Sequence, residues 1–285
     1  MEDYWILLIL TAAFSHAVWN FMLKKSENKQ IFLWSLEVWT VIIFLPISIF
    51  FWPEVSIPLK YWLFWGIGSS IIHIFYAIIL AKAYEKSDFT LAYPVARGTG
   101  PLIVVIIGIT VLKEDVGIIT FIGTILIILG IYILYSGLSL KSGIKTFHAV
   151  MESPLPIFVG VTIASYTIFD KLAVAIIPPI ILYVIESTAQ VIALGGSLVN
   201  QKKDILEQWK RHWLKMAFAG GFSGLAYILV LIVLTEVPVS YVSPVRETSI
   251  VIGSILGILF LKETFNIQKI IGSIVIFIGV TLIIL

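Results

Sequence analysis

The ionisable side chains His16, Glu37, His73, Arg97, Glu186, Arg246 and Glu247 stand inside stretches of sequence that are otherwise apolar. A charge at membrane depth is costly and marks a solute path, a proton relay or a counter-ion. The two arginines can grip a carboxylate or phosphate through their forked donors, or act as gate charges. The three glutamates can balance them or carry a coupling proton, and Glu247, beside Arg246, is the acid whose repeat equivalent is Gly98. Arg97 lies eight residues and Glu37 seven into runs that enter from one face, about 10–12 Å deep at about 1.5 Å per residue. His73 and His16 reach similar depth on two further runs. Glu186 and Arg246 are each eight residues in from the opposite face, with Tyr227 and Tyr166 nearest the positions of His73 and His16. Two half-sites about 12 Å from opposite faces of a core of about 30 Å leave a central compartment for a small polar or aromatic solute. Asn20 aligns near Asp170 and joins the set, while Tyr93, Tyr227, Tyr241 and Trp19 supply aromatic walls. The structural alternatives are Glu37–Arg97 and Glu186–Arg246 ion pairs, interhelical hydrogen bonds from the histidines, and Asp170-Lys171 as snorkelling interface charges.

The elements that must position these groups follow from composition. Of 285 residues, 59% are hydrophobic and 13% charged, with a mean hydropathy of +1.04. A soluble domain carries about twice that charge, so a soluble globule is excluded. The fold class is an all-α polytopic membrane protein of ten transmembrane helices, over about 4–23, 31–52, 61–82, 90–112, 117–137, 154–174, 179–199, 214–235, 239–261 and 267–285 (spans 1–10). The runs are continuous rather than alternating, which excludes a β-barrel. Span 1 opens on Glu2 and Asp3 without a basic region, unlike a signal peptide.

The chain also repeats itself. Residues 97–135 and 246–284 share 15 identities in 39 without gaps, including Arg97/Arg246, Thr99/Thr248, Lys113-Glu114/Lys262-Glu263, Gly123/Gly272 and Gly130/Gly279. Shared Ile and Leu would be weak evidence; Arg, Lys, Glu and glycines in register indicate duplication. Five spans per half force the second copy to insert upside down, the inverted-repeat plan of many secondary transporters. The organisation is thus a first repeat at 1–137, a polar linker at 138–153 and an inverted repeat at 154–285, with 200–213 as the largest cytoplasmic loop. Pro94, Gly98, Gly100 and Pro101 in span 4, and Pro244 in span 9, are expected to unwind those helices beside the arginines. Gly123, Gly130, Gly137, Gly253, Gly257, Gly272 and Gly279 are read as close-packing faces, within the bundle or in a homodimer.

Other classes fall away. No Gly-Lys dipeptide occurs, so there is no phosphate-binding loop and no on-chain ATP motor. The cysteine count is zero and the four histidines show no metal spacing, so no metal or cofactor is expected. Net charge is +2 without a basic stripe, which gives no reason to expect nucleic acid. Gly221-Phe222-Ser223-Gly224 mimics an intramembrane serine nucleophile, but no histidine follows His212 to act as its base. No catalytic residue is assigned; a flippase for a lipid-linked sugar or phospholipid-like substrate is a stronger alternative than any enzyme.

The stretches HAVWNFMLKKS (16–26), AYEKSDFTLAYPVARG (83–98), SYTIFDKL (165–172) and SYVSPVRETS (240–249), with the Lys-Glu turns after spans 4 and 9, resemble the EamA type of the drug/metabolite transporter superfamily, in a bacterial and archaeal branch. The resemblance implies a multi-pass protein of a prokaryotic plasma (inner) membrane. It also implies a cavity lined by spans 3, 4, 8 and 9, rocking spans 1, 2, 6 and 7, and export or exchange of small metabolites such as amino acids. The partners expected are a small-molecule substrate and membrane lipid. Basic residues divide fourteen to three between the loop faces, and the positive-inside rule puts both termini outside, opposite to the orientation usual in that family. A C-terminal reporter active only outside the cytoplasm should therefore give signal; activity from a cytoplasm-only reporter would overturn this orientation.

Overall fold

The computed structural model describes residues 4–54, 56–86, 89–136, 154–261 and 267–285. The linker 138–153 and the Lys262-Glu263 turn lie outside them. Among the described residues nine helices are long and apolar enough to cross a membrane, and Val95–Thr110 is a shorter apolar helix on the remaining span. The chain is all-helical there, with no strand. Local chemistry sets the helix starts. Asn28 accepts from Gln30 N and Ile31 N, both at 3.1 Å, and opens Lys29–Ile49 (span 2). Pro178 and Pro238 stand as caps before Pro179–Ser197 (span 7) and Val239–Val245 (span 9), where a missing N–H costs nothing.

Two expectations about helix continuity change. Span 4 runs unbroken as Phe89–Thr110 despite two prolines. Its glycines serve contact instead of unwinding: a Cβ on Gly100 would stand 2.8 Å from Ile163, and one on Gly98 3.0 Å from Ile128. Span 9 does break, and it breaks at Arg246-Glu247, between Val239–Val245 and Thr248–Leu261. The stretch expected as a large loop at 200–213 is a short 3-10 turn, Val199–Gln201, leading into one 33-residue helix, Lys202–Leu234 (span 8). At about 1.5 Å per residue that helix is roughly 50 Å long and outruns a core of about 30 Å. Its charged turns are good helix formers and hold together partly through Arg211–Glu207, one turn apart at 2.8 Å.

The helices gather into two compact units, each assembled from both repeats. The first comprises residues up to Ile6, Phe75–Ile168 and Glu236–Leu285; the second comprises Leu7–Ile74 and Phe169–Thr235.

In the first unit, Ile118–Ser136 (span 5) packs against Ile267–Ile284 (span 10) through four glycines. A Cβ on Gly123 would lie 2.6 Å from Gly279 O, and one on Gly279 2.6 Å from Gly123 O. Gly130 and Gly272 face each other likewise at 2.8 Å in both directions. Rising numbers on one helix meet falling numbers on the other, so the equivalent helices run antiparallel, as inverted repeats require. This contact is within the chain, which answers for these four glycines where they pack. Gly253, also read as a packing position, faces open space.

In the second unit, spans 2 and 8 approach at Gly220, where a Cβ would stand 2.7 Å from Leu36 O, and Thr40 Oγ1 donates to Gly220 O at 3.0 Å. Gly224 accommodates the Phe44 ring. The glycines around Ser223 are therefore contact positions for span 2, not an oxyanion turn. Phe32, Leu36, Met216 and Ala219 form a buried core there, flanked by Trp19, Trp39 and Trp209.

Gly130→Ala should lower the apparent stability in detergent by about 1–3 kcal/mol, because its Cβ meets backbone that cannot turn aside. Gly253→Ala should leave it unchanged. Equal thermal midpoints for both variants would contradict the packing described.

Candidate functional site

In the second unit, residues from four helices bring polar groups to one buried point. Gly68–Lys86 (span 3) contributes Ser69 and His73, one turn apart on one face; Leu155–Ala173 (span 6) contributes Asp170; span 7 contributes Glu186; span 8 contributes Tyr227. Asp170 and Glu186 are fully buried and His73 nearly so. Ser69 Oγ donates to Asp170 Oδ1 and lies 2.8 Å from Glu186 Oε1. The other Asp170 oxygen, Oδ2, accepts from Tyr227 OH at 2.5 Å and faces His73 Nε2 at 3.0 Å. His73 Nε2 is also 3.5 Å from Glu186 Oε2, an oxygen with no hydrogen-bond donor. Around this centre the His73 and Tyr183 rings each lie against Tyr227, at 5.5 and 5.3 Å. Tyr183 OH is 3.4 Å from Ser223 Oγ. Glu37 is near enough to interact electrostatically with Glu186 and Tyr183.

The ligand atoms of His73, Asp170 and Glu186 lie within 4.8 Å of one another, close enough in space for a shared cation, although sequence spacing gave no metal motif. Chemistry favours hydrogen as what they share. Asp170 already engages both oxygens with a serine, a tyrosine and a histidine, and a metal would have to displace those donors.

The first unit holds a second charged group. Arg97 and Glu247 are buried and in ionic contact, Nε to Oε2 at 2.9 Å. The contact is not aligned as a hydrogen bond; Arg97 also donates to Ser249 Oγ at 3.3 Å. Glu247 interacts with both Arg97 and Arg246. The break in span 9 thus falls on Glu247, which meets Arg97, and on the adjacent Arg246, while the backbone N–H and C=O of both residues stay hydrogen-bonded within the turn. Span 9 is anchored just before it: Glu114 accepts from Val239 N (2.8 Å), Ser240 N (3.0 Å) and Ser240 Oγ (2.6 Å). The repeated Lys-Glu turn after span 4 is therefore a clamp on the start of span 9 in the first unit.

The structure sorts the expected site residues. Glu37, Glu186, His73 and Tyr227 belong to the second unit, and the last three share one cluster. The ion pair shown for Arg97 is with Glu247, the acid that the second repeat carries where the first has Gly98. His16 and Trp19 meet edge to face at 5.1 Å, and Asn20 donates to His16 O at 2.8 Å, satisfying a carbonyl of its own helix. Trp19 packs against the core of spans 2 and 8, a structural place. Tyr166 stands edge to face with Tyr76 at 5.4 Å. Tyr241 lines a cleft with Asp115, Glu236 and Pro238. The Tyr93 side chain lies outside those described. Two central groups were missed. Asp170 was read as an interface charge beside Lys171, yet only Lys171 reaches outward, to Leu234 O at 2.7 Å. Ser69 gave no signal, since serines are common in membrane helices.

Residues 3–136 and 154–285 each match the model of the EamA-like transporter family. No curated protein matches the chain. A solved structure described only as the crystal structure of a protein is similar over 99% of this chain and 96% of its own, with a TM-score of 0.74 and 16% identity, which shows a shared fold.

Arg97→Ala should cost about 3–5 kcal/mol of stability by removing the arginine in direct ionic contact with buried Glu247. The double variant Arg97→Ala/Glu247→Ala should cost less than the sum of the singles in denaturant unfolding. Additive losses would mean that the contact is not energetically coupled.

Proposed function

From its membership of the EamA-like transporter family, we propose that the chain is a secondary transporter moving small polar or zwitterionic metabolites, such as amino acids, across a prokaryotic plasma membrane by alternating access and without ATP. The observation that carries this reading is the broken span 9, whose interruption coincides with Arg246, Glu247 and the buried Arg97. The turn keeps the backbone groups of Arg246 and Glu247 hydrogen-bonded, so what it offers a solute is their charged side chains. Arginine forks there suit a carboxylate or phosphate, and Glu247 holds them in place until one arrives. Arg97 and Arg246 are the proposed anion-binding residues, with Glu247 able to receive the ammonium end of a zwitterion.

A thermal-shift screen of the purified protein against amino acids, organic acids and phosphorylated metabolites tests this. A binder at 100 times its Kd stabilises the native state by about 2.7 kcal/mol, and its effect should vanish in Arg246→Ala. The same compound should support counterflow in proteoliposomes for the unaltered protein and not for folded Arg97→Ala or Arg246→Ala. Unchanged counterflow in those variants sinks the assignment, and hits confined to isoprenoid-linked sugars would replace it with lipid flipping.

A further inference from the structure

Hydrogen counting in the second unit leads further. A serine hydroxyl has one hydrogen to donate and accepts through its lone pairs. Ser69 Oγ touches carboxyl oxygens on two sides, Asp170 Oδ1 and Glu186 Oε1. If both acids were ionised, one contact would press lone pair against lone pair between buried groups. One acid therefore carries a hydrogen and donates it to Ser69, which donates onward to the other. The surroundings decide which. Asp170 receives from Ser69 and Tyr227 and faces His73 Nε2, enough donors to hold a negative charge. Glu186 is fully buried, its Oε2 has no hydrogen-bond donor, and His73 Nε2, 3.5 Å away, lies nearer Asp170 at 3.0 Å, so a charge there would be less well compensated than one on Asp170.

We propose that Glu186 is a proton-binding site of the protein: it holds one exchangeable proton on Oε1, bridged by Ser69 to an ionised Asp170. Transfer is balanced within the cluster. The Glu186 proton passes to Ser69 Oγ as the hydroxyl proton of Ser69 passes to Asp170 Oδ1, leaving Glu186 ionised, Asp170 neutral and the serine unchanged. Tyr227 is partly buried, the least buried member of this chain of groups. Every packed element contributes to the field: Glu37 from span 2, His73 from span 3, Tyr183 from span 7 and Tyr227 from span 8. The neighbouring cation, Lys171, gives its ammonium to Leu234 O. The role of this proton in driving transport rests on the transporter reading; its presence does not.

Infrared difference spectroscopy of the full-length protein in phosphatidylcholine vesicles, titrated in H2O and D2O, reads the proton with no substrate present. A protonated-carboxyl band is expected at neutral pH, sensitive to deuterium, lost at alkaline pH, and absent in Glu186→Gln. Gln keeps a donor toward Ser69 and so should fold. Should it not, Ser69→Ala is the second variant and must shift the same band by removing its acceptor. No such band in the unaltered protein, a band that survives Glu186→Gln, or one unmoved by Ser69→Ala overturns the proposal. So does stoichiometric Zn2+ or Mn2+ that raises the thermal midpoint and abolishes the band, since the cluster would then be a metal site. A missing band leaves the transporter reading intact, and a failed metabolite screen leaves the proton intact.

Discussion

A charge inside a membrane has no water to lean on, and this structure is arranged around meeting that demand internally. An isolated ion in a medium of low dielectric carries a penalty of several kcal/mol even after relaxation. Each unit answers differently. The first opposes Arg97 to Glu247 and brings Arg246 alongside. The second surrounds Asp170 with a serine, a tyrosine and a histidine. The apolar faces of the helices need no such arrangement, because lipid solvates them, and they carry Ile, Leu, Val and Phe without restriction.

Compensating charges must also be held close, and glycine supplies the closeness. Where spans 5 and 10 meet, backbone lies against backbone, which gives many small dispersion contacts in place of a hydrophobic driving force that lipid removes. The reciprocity of Gly123–Gly279 and Gly130–Gly272 is the duplication expressed as packing: each repeat offers the other the same two positions in reverse order. The Glu114 clamp on Val239 and Ser240 uses the same economy, with a single carboxylate serving two backbone donors and a hydroxyl.

Most of this architecture was legible because membrane depth imposes long apolar runs, and because Arg, Lys, Glu and Gly in register cannot be mistaken for shared aliphatic composition. Glu186, His73 and Tyr227 were identifiable as costly or unusual residues within those runs. Their partners were not. Pairing depends on rotation about each helix axis, and the partner shown for Arg97 is the acid beside the second arginine. Asp170 sat next to a lysine near a helix end, the pattern of an interface pair, and only side-chain direction separates the inward acid from the outward base. The prolines and glycines of span 4 read as breakers because their cost is local, while the neighbours that offset it, Ile128 and Ile163, lie far along the chain.

The unbroken span 8 also serves as a depth gauge. Tyr227 is seven residues from its end at Leu234, about 10 Å along the axis, and Asp170 is hydrogen-bonded to that tyrosine. A proton reaching Asp170 from that end would cross roughly a third of a core of about 30 Å, and with it roughly a third of the membrane potential, about 0.8 kcal/mol per 100 mV. From the other end it would cross the remaining two thirds. With the proton site proposed above, occupancy of the buried acids would be tied to voltage as well as to pH, and unequally so from the two sides of the membrane.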